Sequence, residues 1–210
     1  MNKMMNSSDI CKIHDLPSNP IELFNTLTFN TKMAGAKYIP MNLATVDSEF
    51  GVLNRTVVYR GLTDDSGICF ATEQNPKSAL TMLLSIGLED AKQETWQIRL
   101  MNACAVELDD QAILSKFWQE EPLFAKIRSH IVECGKPTNH EELVIKHNKL
   151  LADYQSGQHA LERTPSYTVF KILPKIWDFY KSEPGKIADR VQYKLRDYEL
   201  NEWTNYHVAA

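Results

Sequence analysis

The spacing of apolar residues predicts a helix near the N-terminus. Leu23, Phe24 and Leu27 lie on one face of a helix of period 3.6. The dipeptide Asn19-Pro20 marks its start, because asparagine is a good cap and proline fits the first helical position. We therefore expect a helix over 20–33.

Beyond residue 40 the alternation shortens to two residues, which is typical of strands. β-branched runs are bounded by turn signals such as Asp64-Asp65-Ser66-Gly67. In the longest run Trp96, Ile98 and Leu100 alternate with Gln97, Arg99 and Met101. The predicted strands are 41–47, 52–60, 68–72, 94–108, 167–173, 176–180, 191–193 and 203–204.

Four more helices interrupt the strands. Cap-then-helix signals place them at 76–87, 110–120, 122–134 and 140–154. The fold class is therefore mainly β with helices. We expect a closed or nearly closed antiparallel barrel that satisfies every strand edge, with peripheral helices. We expect residues 1–15 to form a flexible N-terminal arm and residues 16–210 to form a single domain.

Composition excludes several classes of function. With 210 residues, 24% charged residues and a net charge of −4, the chain lacks the basic excess of a general nucleic-acid binder. Its longest near-apolar run, 79–88, is too short to span a bilayer, so no membrane partner is expected. The four cysteines are isolated and lack zinc-ligand spacing, so we expect no bound metal. Such solitary cysteines also favour a cytoplasmic location.

Two arginines on one predicted strand form the first candidate cluster. Arg55 and Arg60 lie five positions apart, so alternation turns them to opposite faces. An arginine on a buried face would need an anion as partner. Alternatively, both are solvated arginines on the barrel surface.

The second candidate cluster lies where a strand meets the start of a predicted helix. A helix start offers free N–H groups to a phosphate, and Thr72, Lys77 and Ser78 add two hydroxyls and a charge. The alternative is an ordinary cap with a solvated lysine. The third cluster, 179–190, places aromatic residues before a turn with basic groups, and it could equally be a plain hairpin.

Taken in order, these segments are similar to one known family. The chain resembles the pyridoxamine 5′-phosphate oxidase-like FMN-binding split barrels from Asp15 to about Trp203. The segments that carry the resemblance are Leu43-Ala44-Thr45-Val46-Asp47, Arg55-Thr56-Val57-Val58-Tyr59-Arg60-Gly61, Phe70-Ala71-Thr72, Gln97-Ile98-Arg99 and the stretch 179–193 with Asp189-Arg190.

The resemblance implies an FMN site at the interface of a homodimer. Arg55 would meet the FMN phosphate, Gln97 of the second subunit would bond the flavin, and Tyr180 and Arg190 would lie beside it. The implied cofactor-binding residues are Arg55, Thr56, Val57, Val58, Tyr59, Arg60, Ala71, Thr72, Lys77, Ser78, Gln97, Tyr180 and Arg190.

Departures from the family pattern concern the substrate. Lys186 and Ala188 stand where the oxidase has an arginine and a histidine, and Arg60 replaces its substrate-phosphate lysine. Near Phe117 the substrate-binding tyrosine and arginine are replaced by Lys116 and by Glu120 or Glu121, and a carboxylate there would repel a phosphate ester.

The expectation is a flavin oxidoreductase that is related to the oxidase and takes a different substrate. Arg60, Lys186 and Arg190 would form a positive rim for a small anionic substrate. Three alternatives remain open: a genuine pyridoxamine 5′-phosphate oxidase with a variant site, a flavin- or haem-binding module without catalysis, and a purely structural barrel dimer that has lost its cofactor.

Overall fold

A computed structural model describes residues 10–47, 51–73, 82–89 and 94–209, the stretch 82–89 by its backbone alone. The described elements, in chain order, are α1 (Pro20–Met33), β1 (Pro40–Asp47), β2 (Gly51–Leu62), β3 (Ile68–Glu73), β4 (Met82–Glu89), β5 (Thr95–Glu107), α2 (Gln111–Glu120), α3 (Leu123–Ile131), α4 (His140–Gln155), β6 (Tyr167–Ser182), β7 (Asp189–Asp197) and β8 (Glu202–His207).

All strand pairings are antiparallel, as the short turns predict. The strand order is β3-β2-β1-β4-β5-β6-β7-β8, and β3 also pairs with β6. Six strands therefore follow one another in a cycle of pairings, while β7 and β8 extend from β6. The eight-stranded sheet as a whole is not closed, because it ends at β8. The expectation that every strand edge is satisfied was therefore wrong at β8, whereas the split-barrel class is confirmed.

Strand β6 joins the two parts of the sheet. Its first half, 167–172, pairs with β3, and its second half, 176–181, pairs with β7. The sequence predicted two strands here because Pro174 cannot donate to a ladder. Pro174 lies in the gap between the two partners, so its missing N–H costs no bond to either β3 or β7, and the strand continues through it.

The helix predicted over 76–87 was wrong in its described part. Residues 82–87 belong to β4, which pairs with β1 on one side and β5 on the other. The sequence 79–88 is a short apolar run, and periodicity alone does not distinguish a buried strand from a helix in such a run. Residues 76–81 lie outside the described residues.

The sheet separates two hydrophobic cores. The larger core fills the barrel and includes Phe24 of α1, which packs against Trp177 and Tyr59. The smaller core holds Trp118 of α2 against Tyr167, with the ring centroids 4.9 Å apart. The helical layer is thus fixed to the outer side of β3 and β6.

Part of the arm predicted for residues 1–15 is docked. Cys11 donates its N–H to the carbonyl of Ile187 at 2.8 Å, and Ile13 donates to a carboxylate oxygen of Asp189 at 2.8 Å. The side chains of Cys11 and Ile13 are buried. From Ile10 onwards, therefore, the arm packs beside the start of β7 rather than staying loose.

Candidate functional site

Three of the residues implied by the resemblance form one row across the sheet. The register pairs Gln97 of β5 with Tyr180 of β6, and Tyr180 with Arg190 of β7. Directly paired residues point to the same face of a sheet, and the neighbours of this row, Ile98 and Phe179, point into the barrel core. The row therefore lies on the face opposite the core.

Arg190 is held in place and has an unused donor. Its guanidinium lies 5.2 Å from the centroid of the Tyr180 ring, a cation–π distance. Its Nε is buried and makes no hydrogen bond within the described structure. The nearest carboxylate oxygen, Oδ1 of Asp178, is 3.7 Å away. Such an orphaned donor suits a ligand that presents an acceptor to this row.

Asp178 organises the polar face next to the row. Its side chain is fully buried, and Oδ1 accepts two hydrogen bonds from Arg99, from Nε at 3.1 Å and from Nη2 at 2.9 Å. Its other oxygen accepts from Nε2 of Gln192 at 2.7 Å, and Gln192 accepts from the hydroxyl of Tyr206. Sequence reasoning missed Asp178; an acidic residue in the middle of an apolar strand was the available signal.

Arg55 lies in the first half of β2, where its side chain is exposed. Its Nη2 donates to Oγ1 of Thr45 at 3.2 Å, and the register places it opposite the buried Leu43 of β1. The hydroxyl of the neighbouring Thr56 donates to the side chain of Asn42. Arg55 thus combines a core-side register position with an exposed side chain that an anion can reach.

The rest of β2 is partly buried. Val57, Val58 and Tyr59 are half-buried, and burial raises the pKa of Tyr59 to about 12. On β3, Ala71 packs against the smaller core and the Thr72 hydroxyl donates to the carbonyl of Glu73. The structure thus places these residues on strands β2 and β3. Lys77 and Ser78 lie outside the described residues.

Arg60 is paired with Glu121, which the sequence led us to expect only as a group that repels a phosphate ester. Its Nη2 lies 2.6 Å from Oε2 of Glu121, whose side chain is 3% exposed. The Tyr167 hydroxyl donates to the other oxygen of Glu121 at 3.1 Å. Burial, followed by the charge of Glu121, raises the pKa of Tyr167 well above its usual range. Arg60 therefore belongs to a partly buried ion pair that ties β2 to the helical layer.

The three cations of the expected positive rim have different partners in the described structure. Lys186 lies on an exposed turn and is paired with Glu183, and this hydrogen bond raises the pKa of Lys186. Arg60 is paired with Glu121, while Arg190 lies beside Tyr180.

Within residues 10–47, 51–73, 82–89 and 94–209, no three or more His, Cys, Asp or Glu side chains form a group that could hold a metal ion. No helix in the described part of the chain is long and apolar enough to cross a membrane.

Comparison with solved structures defines the class of fold. PhzG from Burkholderia lata 383, solved in complex with tetrahydrophenazine-1-carboxylic acid, superposes with a TM-score of 0.75 at 19% identity, over 97% of this chain and 100% of the other. A pyridoxamine 5′-phosphate oxidase-related, FMN binding protein from Nostoc punctiforme gives 0.63 at 19% identity, over 93% and 100%. The fold is therefore that of this class of split barrels.

The sequence relatives carry names from the same family. The pyridoxine/pyridoxamine 5′-phosphate oxidase of Chromohalobacter salexigens is 22% identical over 210 residues, covering 97% of this chain and 94% of that one. The oxidase of Acinetobacter baumannii is 25% identical over 203 residues, covering 91% and 87%. No family model matches. At 22–25% identity, these relatives support the resemblance of the chain to the pyridoxamine 5′-phosphate oxidase-like split barrels, as a divergent sequence with the same fold.

Proposed function

We propose that this protein binds FMN and works as a flavin-dependent oxidoreductase whose substrate differs from that of the oxidases. The observation that carries the proposal is the row Gln97–Tyr180–Arg190, with the orphaned Nε of Arg190 beside the Tyr180 ring. A flavin supplies both a flat ring and hydrogen-bond acceptors, and this row offers a ring and a donor to match.

The charged end of the cofactor has a candidate partner in Arg55. A phosphate dianion needs charge-assisted donors, and an arginine supplies them in a fixed fork. In the described structure Arg55 has one hydrogen bond, to the uncharged Thr45, and forms no ion pair. Its guanidinium therefore keeps donors available for an anion, as the resemblance implies.

When bound, FMN would supply the redox chemistry, and the protein would supply binding and orientation. Arg190 would bind and orient the ring system, Tyr180 would fix the Arg190 guanidinium, and Arg55 would bind the phosphate. Asp178 would hold the neighbouring polar face in position through Arg99 and Gln192. Thr72, Lys77 and Ser78 remain proposed contributors to the phosphate site.

A homodimer and a cytoplasmic location complete the proposal. The row lies on a sheet face with partly exposed side chains, and a second copy would turn it into a closed site. The four cysteines are free, which fits a reducing compartment. Sedimentation equilibrium should then give twice 24.1 kDa, and a monomer mass would refute the dimer.

The test is FMN binding by matched arginine variants. FMN fluorescence should be quenched on titration with the protein, and Arg190→Ala should raise the Kd at least tenfold, the equivalent of losing about 1.4 kcal/mol. Arg196→Ala is the control, because Arg196 is an exposed arginine on the same strand. A protein that leaves FMN fluorescence unchanged, or equal Kd values for the two variants, overturns the proposal.

A second candidate is pyridoxine/pyridoxamine 5′-phosphate oxidase activity itself. It is favoured by the curated relatives of that name, which match over most of the chain. The ion pair of Arg60 argues against this activity, since Glu121 already neutralises the charge that would bind the substrate phosphate. Oxygen-dependent formation of pyridoxal 5′-phosphate at a rate within the usual enzyme range would favour this candidate over our proposal.

A further inference from the structure

A small cavity opens where the sheet splits. On its edge away from β5, strand β6 pairs with β3 as far as Ile172 and with β7 from Ile176 onwards. Between these two residues that edge has no partner strand in the described sheet. Pro174 lies in this gap and lines a cavity of about 250 Å³. The turn that precedes β3 and the turn that follows β7 line the cavity from either side.

Aromatic rings form much of the cavity wall. Trp177 and Trp203, two of the four tryptophans of the chain, line it together with Tyr198. The buried Trp177 and Pro174 give the cavity an apolar floor, whereas Tyr198 is 67% exposed at the rim. The indole N–H of Trp203 donates to Oδ1 of Asn201 at 2.7 Å. Neither Trp203 nor Tyr198 contacts another aromatic ring or a cation among the described residues, so ring surface is left for a ligand.

The charge of the lining is negative. The described residues that line the cavity include Asp64 and Asp65 and no lysine, arginine or histidine. Both carboxylate oxygens of Asp65 have partners, Lys171 on one side and the Thr63 hydroxyl on the other. The side chain of Asp64 is exposed and makes no hydrogen bond or ion pair with any residue that the structure describes. One negative charge therefore remains for a ligand, and it attracts a cation.

The chemistry of the lining suits an organic cation better than a metal ion. Ca²⁺ takes about six to eight oxygen ligands, whereas one unpaired carboxylate is available here. The methyl groups of a quaternary ammonium ion gain from burial against apolar surface, and its charge is attracted by the faces of tryptophan and tyrosine rings. Because a cavity of about 150 Å³ holds benzene, about 250 Å³ leaves room for a trimethylammonium group with a short chain.

We propose that this cavity binds a small free quaternary ammonium ion, with Asp64 as the countercharge and Tyr198 and Trp203 as the ring surfaces. A phosphate or carboxylate on the same molecule would face the aspartates of the lining, which favours a simple cation over a phosphocholine headgroup. The site is separate from the row proposed for FMN, because Trp177 faces the barrel core and the row lies on the opposite face of β6. The inference thus goes beyond the proposed function and does not depend on it.

Titration of the full-length protein with choline tests the inference, and tryptophan fluorescence reports binding because two tryptophans line the cavity. The control ligand is 3,3-dimethylbutan-1-ol, which has the shape of choline without its charge. We expect choline to bind about tenfold more tightly than this alcohol. Betaine, which adds a carboxylate, should bind more weakly than choline. Equal affinities for choline and the alcohol, or no binding of choline, overturn the inference.

An aspartate variant tests the countercharge. Asp64→Asn suits the same turn, since asparagine and aspartate are both favoured there. It should weaken choline binding about fivefold and leave the binding of the neutral alcohol unchanged. Asp109→Asn is the matched control, because Asp109 is an exposed aspartate outside the cavity. Choline binding by Asp64→Asn that equals that of the control overturns the inference.

A tyrosine variant tests the ring surface independently. Tyr198→Leu keeps an apolar side chain at an exposed position and removes the ring, so choline binding should weaken about fivefold. Tyr154→Leu is the matched control, because Tyr154 is an exposed tyrosine of α4 that does not line the cavity. If the two tyrosine variants bind choline equally well, the inference is wrong.

Vesicles of pure phosphatidylcholine distinguish a free ion from a lipid headgroup. We expect the protein to remain in the supernatant when the vesicles are sedimented, and co-sedimentation that Asp64→Asn abolishes would overturn the assignment to a free ion. Quenching of FMN fluorescence by the same samples tests the proposed function separately. Choline binding without FMN binding refutes the proposed function only, and FMN binding without choline binding refutes this inference only.

Discussion

Asp178 offers a direct measure of how much the polar face of the sheet contributes to stability. The carboxylate is fully buried and accepts three hydrogen bonds, two from Arg99 and one from Gln192. In Asp178→Asn an NH₂ group replaces one of the two carboxylate oxygens. This new donor then faces another donor, either the Arg99 guanidinium or the Gln192 amide. We therefore expect this substitution to destabilise the protein.

The magnitude follows from the bonds that change. A hydrogen bond to a charged partner contributes about 1.5–3 kcal/mol and a neutral one about 0.5–1.5 kcal/mol, and a buried donor without an acceptor costs about 1–3 kcal/mol. Breaking a buried ion pair costs about 3–5 kcal/mol, and the 27% exposure of the Arg99 side chain reduces that value through solvent screening. The ranges for the charged hydrogen bond, the buried donor and the ion pair meet at about 3 kcal/mol.

Urea unfolding at pH 7 and one fixed protein concentration measures the effect. With a slope of about 3 kcal/mol per molar urea, a loss of about 3 kcal/mol lowers the midpoint by about 1 M. Asp109→Asn is the control, because Asp109 is exposed just before α2, and its midpoint should move by less than about 0.2 M. A midpoint for Asp178→Asn that coincides with that of the control would show that the buried network adds no net stability.

Three further outcomes are expected. Gly67→Ala should lower Tm by about 5 °C, because the new Cβ would lie 3.0 Å from the Cβ of Lys171; an unchanged melting curve contradicts this. Burial opposes ionisation of Asp189, but its hydrogen bonds to the docked arm and to a histidine lower its pKa. Its contribution to the stability of the folded state is therefore present above about pH 4 and is lost as pH falls further. Asp189→Asn should accordingly speed modification of the buried Cys11 by a thiol reagent at least tenfold, and an unchanged rate would mean that the arm stays docked without the carboxylate. Burial raises the pKa of Tyr59 and of Tyr193 to about 12, so stability should be complete below about pH 10 and should fall as pH rises toward 12; tyrosinate absorbance that develops without unfolding would contradict this.

Local signals predicted most of the elements. The Asn19-Pro20 start gave α1 its observed bounds, Pro20–Met33, because capping depends on neighbouring residues alone. Alternation placed β5 within one residue at either end, Thr95–Glu107. Element β4 was mistaken for a helix, since its pairing with β1 and β5 is a long-range property that a short apolar run does not encode.

The resemblance selected three residues that the fold makes neighbours, but it did not predict the electrostatics around them. Family resemblance named Gln97, Tyr180 and Arg190, and the register places them in one row. Resemblance could not show that Arg60 is neutralised, because Glu121 lies 61 positions away in the sequence and meets it only through the packing of α2 against the sheet. Which carboxylate pairs with which cation depends on such tertiary contacts. Hydrophobic alternation and motif spacing in the sequence do not encode them.

The position of β6 late in the chain has a consequence for synthesis on the ribosome. Strands β3 and β5 each pair with β6, which begins at Tyr167. Until that segment leaves the exit tunnel, each of these two strands has one unpaired edge, and edges of this kind invite association between nascent chains. The helices over 111–155 emerge in the interval, and α2 packs on the side of the sheet that β6 completes. Productive folding is therefore expected to be largely post-translational, with a rate set by the long-range closure of β3 onto β6.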